Sequence, residues 1–278
     1  MRKTYIISII SAAVLSTSCG SGDAEKAHRD SAECLYNEVL TEMSAQHYDR
    51  AIVLMDSFSV TYPLQLDLRK ALLPKRSEAV EGLTVQNIPV LDRKIAELQM
   101  SIDEQQKQFV SVKSSAKLPP YLVYKGCDGI VDGKCRLQAR VNTGDDAEYS
   151  PWVLAVGTGR NIGLNRLQIS TKQGAAYTID VPVAAMAQAS VSMERVAPLA
   201  QQLSVADDEI VSVTASGTEG SVNIKVSAAD SRGIGAAWKL CATRDSLRSV
   251  LIDREKAERV LQVARDNAAA HSAEPQQN

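Results

Sequence analysis

Residues 134–142 read KCRLQARVN, and the alternation in them is unbroken. Cys135, Leu137, Ala139 and Val141 fall on one face of an extended chain; Lys134, Arg136, Gln138, Arg140 and Asn142 fall on the other. A period of two with one apolar face predicts an antiparallel strand, half on a core and half in water. The rhythm returns in AYTIDVPV, residues 176–183, with Tyr177, Ile179, Val181 and Val183 inward. It returns again in SVNIKVS, residues 221–227, with Val222, Ile224 and Val226 inward. Asp132-Gly133, Lys172-Gln173-Gly174 and Ser216–Gly220 supply the turns between such runs. A short helix over Glu194–Leu203 interrupts them. A mainly antiparallel β-domain is therefore expected over residues 121–241.

Upstream, Lys113–Pro120 carries Ser, Lys and a Pro-Pro pair and reads as a linker, residues 113–120. Before it, residues 26–112 read as helical. Ala32, Leu35, Tyr36, Val39, Leu40 and Met43 recur at helical spacing, as do Tyr48, Ala51, Ile52, Met55 and Phe58 after a break at Ser44–His47. Pro63 biases Tyr62 out of helical geometry and ends the second helix. Pro74 and Pro89 predict a kink or break at each. Beyond Pro89, the residues Leu91, Ile95, Leu98, Ile102, Gln105, Phe109 and Val112 alternate in steps of four and three, which is a coiled-coil seam with one polar position. Two readings of the seam stand: an antiparallel hairpin folded back on residues 65–86, or a surface for dimerisation.

Downstream, Leu247, Val250, Leu251, Leu261 and Ala264 outline a C-terminal helix over residues 242–270, with Thr243 as its N-cap. Residues 271–278 are expected to be disordered. The fold class is α+β: an N-terminal helical hairpin and coiled coil, then the β-domain and a C-terminal helix.

The stretch LYNEVLTEMSAQHYDRAIVLMDSFSVTYP, residues 35–63, resembles a tetratricopeptide-repeat helix pair. Tyr36, Tyr48, Ala51, Phe58 and Pro63 stand where such a pair has two rings, a small residue, a large apolar residue and a terminator. One repeat cannot bury a continuous core alone, so the resemblance implies packing on further helices.

The first residues speak to location. Arg2 and Lys3 precede an apolar run, Tyr5 to Leu15, and then Leu15-Ser16-Thr17-Ser18-Cys19. These are the parts of a secretory signal over residues 1–18, and the 11-residue run is short of the roughly 20 residues a spanning helix needs. The sequence ending in Cys19 resembles the lipobox of bacterial lipoproteins. That resemblance implies Cys19 as the first mature residue, carrying acyl chains such as palmitate, with residues 19–25 a flexible lipidated tether. Asp30-Ser31-Ala32 and Asp245-Ser246-Leu247 resemble short O-glycosylation acceptors. The whole order of parts is similar to that of uncharacterised Bacteroidetes lipoproteins, which implies a place in the cell envelope on the periplasmic face or outer-membrane surface, and no catalytic residue.

Removing residues 1–18 takes two basic residues from 31 and leaves 33 acidic ones, a mature net charge of −4, so nothing favours nucleic acid. Cys127 and Cys135 flank Val131-Asp132-Gly133-Lys134; they either form a disulfide across that turn or lie as two small buried apolar residues. The three histidines, His28, His47 and His271, all lie outside the strand region, so it holds no Ser-His-Asp or Cys-His pair and no histidine zinc site.

VLAVGTGRNIG, residues 153–163, has the glycines of a dinucleotide loop, but LNRLQIST after it reads as a strand where phosphate binding needs a helix N-terminus. The better reading is a hairpin or bulge. Asp145-Asp146 and Asp207-Asp208-Glu209 sit in turns expected to be solvated, without calcium-loop spacing.

The expectation is therefore a membrane-anchored protein-interaction or structural module. No enzyme activity, metal or cofactor is expected. A partner or self-association would come through the helical region. The alternative is a ligand- or glycan-binding lipoprotein using the β-domain. An exposed Trp152 or Trp238 favours that alternative; burial of both favours scaffolding. An enzyme would need Asp145, Asp146 or Asp180 in a cleft.

Overall fold

The computed structural model describes residues 21–113, 120–127, 131, 134–143, 151–182, 186–205 and 208–273. Cys19 with its leader, most of the 113–120 linker, Asp145, Asp146, Asp207, Val183 and residues 274–278 lie outside the described residues. In chain order the elements are α1 (Ser21–Ser44), α2 (Tyr48–Thr61), α3 (Leu66–Gln106), β1 (Phe109–Val112), β2 (Tyr121–Tyr124), β3 (Cys135–Asn142), β4 (Trp152–Thr158), β5 (Leu164–Thr171), β6 (Ala176–Asp180), β7 (Gln188–Ser192), α4 (Met193–Val205), β8 (Ile210–Gly217), β9 (Gly220–Ile224) and α5 (Ala228–Ala273). The fold class is α+β. Two compact units divide the chain: a helical unit, Met1–Ile88 with Lys256–Asn278, and a β unit, Pro89–Glu255. The division falls within α3 and α5 and not at the 113–120 linker.

In the helical unit, α1 and α2 form the expected hairpin. Ala32, Val39 and Met43 of α1 meet Ala51, Met55 and Phe58 of α2, and Leu72 and Ala79 of α3 complete the cluster. The hairpin turns through Gln46 at φ 59°. The Tyr48 ring lies over Gly82 of α3, where a Cβ would come within 2.4 Å of the ring; only glycine allows that approach.

Helix α3 corrects the reading of its own stretch. Pro74 and Pro89 do not break it: it runs unbroken from Leu66 to Gln106. Each proline frees the carbonyl four residues back, on Lys70 and Val85, and both of those residues are exposed, so water can take the lost hydrogen bond. The seam therefore cannot fold back on residues 65–86, since all of them from Leu66 on belong to the same helix. Phe109 is not a seam residue either. It starts β1, opposite Tyr124 of β2, with the two rings edge to face at 6.0 Å.

The β unit holds two antiparallel sheets, ordered β1-β2-β3-β4-β7 and β6-β5-β8-β9. One hydrophobic cluster takes the inward residues of both: Leu137, Ala139 and Val141 of β3, Trp152 and Leu154 of β4, Leu167 and Ile169 of β5, Val213 and Ala215 of β8. Helix α4, expected over 194–203, adds Val196, Leu199, Ala200 and Leu203 to this core, and α5 adds Ile234, Ala237 and Leu240. Ile102 near the end of α3 is buried in the same cluster.

Helix α5 begins 14 residues before the expected 242, so Cys241, at the end of the expected β-domain, is a buried helical residue. Its start is a capping box. The Asp230 amide donates to Ser227 Oγ at 3.1 Å, and the Ser227 amide donates to Asp230 Oδ2 at 3.0 Å. Gly235 lies where a Cβ would come 2.5 Å from the Leu203 carbonyl oxygen, so α5 passes the end of α4 closer than any side chain permits.

Candidate binding grooves

In the helical unit, Arg76, Ser77 and Val80 on one face of α3 confront Arg259, Val260, Val263, Ala264 and Asn267 on one face of α5. These spacings place each set on adjacent turns. Between them lies a groove of about 320 Å³ with almost wholly apolar walls. Val260 and Val263 are 45% and 58% exposed, although Ala264 beneath them is buried. Arg265 Nε bonds Glu81 Oε1 at 2.9 Å and ties the two helices beside the groove. Arg76 at the rim pairs with Asp56 of α2 at 2.5 Å. An apolar trough bordered by charge suits an apolar helix or strand of a protein, since its walls offer little polar surface to orient a small ligand.

In the β unit the seam finds its partner in α5. Asp92 pairs with Arg254 at 2.5 Å, and Gln105 donates to Thr243 Oγ1 at 3.0 Å. Leu91, Ile95 and Leu98 are half-buried along this side of α3, and Ile102 is in the core. Leu98 lines a second groove of about 330 Å³ with Ser204, Val205, Trp238, Lys239, Ala242, Thr243 and Ser246. The two tryptophans thus divide. Trp152 is fully buried, and Trp238 is half-buried at the groove.

The outer face of β3 is not the solvated face its sequence suggests. Gln138 is buried, donating to the Cys127 carbonyl oxygen and accepting from Arg140 Nε at 3.0 Å. Arg136 reaches Asp230 Oδ1 at 3.2 Å, and the Arg140 guanidinium lies 4.6 Å from the centre of the Tyr121 ring. Cys127 sits buried beside this pair, and burial followed by the Asp230 charge pushes its thiol up to about 12. Burial likewise pushes Cys241 up to about 12. Thiols so far from ionisation are poor nucleophiles. The Cys127–Cys135 bridge is not formed: both are free, Cys127 turned inward toward Asp230 and Gly233, Cys135 exposed on β3 with its Sγ directed at the Asn223 carbonyl oxygen, 3.5 Å away.

The remaining motifs serve structure. Gly159 and Gly163 adopt φ of 72° and 60°, but the segment between them joins β4 of one sheet to β5 of the other, so it is a crossover and not a hairpin. A strand follows it, leaving no helix N-terminus to hold a phosphate. Asp208 is not solvated. It is 4% exposed and accepts the amides of Gln173 and Glu209 at 3.0 and 2.9 Å, fixing the β5–β6 turn. Burial opposes its ionisation, but the Thr171 hydroxyl beside it and these amides outweigh that and hold its carboxyl below the usual range. Asp180 is exposed and paired with Arg166. His47 is exposed at the hairpin turn, with Nδ1 2.8 Å from Glu42.

Among the described residues no three His, Cys, Asp or Glu side chains gather as a metal site, and no helix is long and apolar enough to cross a membrane. The groove residues of α3 and α5 lie far apart in sequence; the local signal is Val260, Val263 and Ala264, an apolar strip within the charge-rich run Asp253–Asp266. Comparison with protein-family models, with curated proteins and with solved structures finds no match for this chain.

Proposed function

We propose that the protein is an envelope lipoprotein, held to a membrane by acyl chains on Cys19, whose helical unit binds a protein partner and which performs no catalysis. The groove between α3 and α5 supports this most directly: Val260 and Val263 stand exposed on apolar walls with charged residues at the rim. Exposed apolar surface organised in this way marks an interaction site more often than scattered single residues do. The reading involves no metal, cofactor or nucleic acid. A photo-crosslinking residue in place of Val263, in cells, should give a discrete protein adduct that disappears with Val260→Asp. Persistence of the adduct in that variant would remove the groove from consideration. Cys19→Ser should move the protein from the membrane to the soluble fraction.

A second reading, a β unit that holds a small ligand or glycan, draws on Trp238. Its ring is partly open in a groove that also presents Lys239, Ser204 and Thr243. Retention on a glycan array that is lost with Trp238→Ala would favour it.

A further inference from the structure

The two ends of the α1–α2 hairpin differ in chemistry. One end is the turn Ser44-Ala45-Gln46-His47, polar and small. The other is Tyr62-Pro63-Leu64-Gln65-Leu66, between α2 and α3, and it is apolar. Leu64 is 85% exposed, Val60 just before it 82%, and Leu66 60%. Arg69 folds back to donate to the Pro63 carbonyl oxygen at 2.9 Å, which holds the turn in shape with its leucines outward. A single exposed leucine is ordinary, but three large apolar side chains on one ordered tip are not.

The tip lies at the end of the helical unit from which the chain would be anchored. The His28 ring meets the Tyr62 ring edge-on at 5.0 Å, so α1 is level with the end of α2 at residue 28. Because α1 and α2 run antiparallel, the part of α1 before His28 continues beyond α2 on the side of the 62–66 turn. Seven residues from His28 to Ser21 carry the helix about 10 Å further at 1.5 Å per residue. Cys19 is two residues before Ser21, which adds at most about 7 Å of chain.

We infer that this tip, Val60, Leu64 and Leu66, rests in the surface of the lipid bilayer, so that the helical unit is held by its acyl chains and by a direct apolar contact beside them. The inference rests on the proposed acylation of Cys19. The occupant is lipid because α1 begins on that side at Ser21, two residues from Cys19, so that acyl chains on Cys19 would keep the tip within about 17 Å of the bilayer and bring it there before any diffusing partner. The contact is apolar in nature: Asp67, Arg69 and Lys70 beside the tip sum to a single positive charge, too little for anionic headgroups to hold it by attraction. Amphipathic surfaces bind bilayer interfaces through buried apolar area, to which charge only adds.

The test uses the full mature acylated protein in vesicles, with Cys34 and Cys135 replaced by serine and one spin label at Leu64→Cys or, as reference at the opposite end of α2, at Asp49→Cys. Far-UV spectra confirm the fold of each. Vesicles of phosphatidylcholine alone and of phosphatidylcholine with phosphatidylglycerol are compared. The expected result is that the Leu64 label loses most of its accessibility to a water-soluble nickel chelate and gains accessibility to oxygen on both vesicles, and that the Asp49 label does neither. Protein that floats with vesicles while both labels remain equally open to the chelate overturns the docked tip and leaves the anchor intact. Protein that does not float at all overturns the anchor. A Leu64 label shielded equally with and without vesicles means that a second copy or another protein covers the tip, and shielding confined to anionic vesicles means that charge and not apolar contact holds it; either overturns the inference.

Discussion

Ser227 and Asp230 cap each other at the start of α5, and Asp230 at the same time faces Arg136 of β3. The carboxylate thus closes a helix end and joins that helix to a sheet, 94 residues away in sequence from its guanidinium partner. The two roles separate by mutation. Ser227→Ala removes the cap alone and should lower β-unit stability by about 1 kcal/mol. Asp230→Ala removes both and also takes from Arg136, about a fifth exposed, one of its partners; the loss should be about 2–3 kcal/mol. Urea unfolding of the two variants measures the difference.

Gly235→Ala should destabilise by about 1–3 kcal/mol, because the new Cβ would press on the Leu203 carbonyl oxygen and α4 must shift. Gly174→Ala is the control. Its backbone φ is 86° with nothing within 4 Å of the added methyl, so it carries only the strain of a left-handed alanine, about 1–2 kcal/mol. A crystal structure or amide shifts of Gly235→Ala should place the displacement at the end of α4; none should appear there for Gly174→Ala.

Asp208 makes the β5–β6 turn pH-sensitive. Its folded-state pKa lies below the ordinary value, so the unfolded chain binds its proton more readily. The stability it confers is therefore complete above the usual carboxylate range and disappears as the pH falls through the folded-state value. Amide exchange at Gln173 and Glu209, corrected for the intrinsic pH effect, should accelerate on acidification in the native protein and be fast at all pH values in Asp208→Ala, which has no side-chain acceptor.

The four described thiols should react in two classes. Cys34 and Cys135 are exposed and should be alkylated in the native protein; Cys127 and Cys241 are buried and should be modified only on unfolding. With both buried thiols raised to about 12, the unfolded chain loses these protons first, so stability holds below the ordinary cysteine range and declines as pH climbs above it. Mass spectrometry after timed iodoacetamide treatment counts the classes.

Leu98→Asp and Ile102→Asp test where the heptad seam is satisfied. Because Ile102 is core and Leu98 lines the Trp238 groove, Ile102→Asp should cost the β unit about 3–5 kcal/mol, with a smaller effect from Leu98→Asp. Neither should change the solution mass by light scattering. A dimer that both variants dissociate without loss of β-unit stability would return the seam to an intermolecular role.

What the sequence made legible follows from its periods. Residues 134–142 announce a strand because one face must stay apolar, and the hairpin at 35–63 announces itself through small and large residues one turn apart. The same logic misled at three places. Thr243 has the side chain of an N-cap and sets the expected start of α5 at 242, but the helix is already running there: it begins 14 residues earlier, with Gly233 and Gly235 inside it as spacers for close passage. Pro74 and Pro89 look like stops, yet each frees a carbonyl that water can reach. Phe109 keeps the heptad interval after the helix has ended, because a strand facing the same core also needs an aromatic residue there. The buried polar face of β3 and the α3–α5 groove depend on residues brought from far along the chain, and no local period encodes either.

Both tryptophans of this chain, Trp152 and Trp238, belong to the β unit, and the helical unit has only tyrosine and one phenylalanine, Phe58. Trp152, enclosed in the core, should emit at short wavelength; Trp238, partly wet, should emit further to the red and respond to anything entering its groove. Intrinsic emission is consequently a private signal of one unit, whereas helical ellipticity draws on both. Recording the two together during denaturation separates the melting of the helical unit from that of the sandwiched strands, with no label and no truncation.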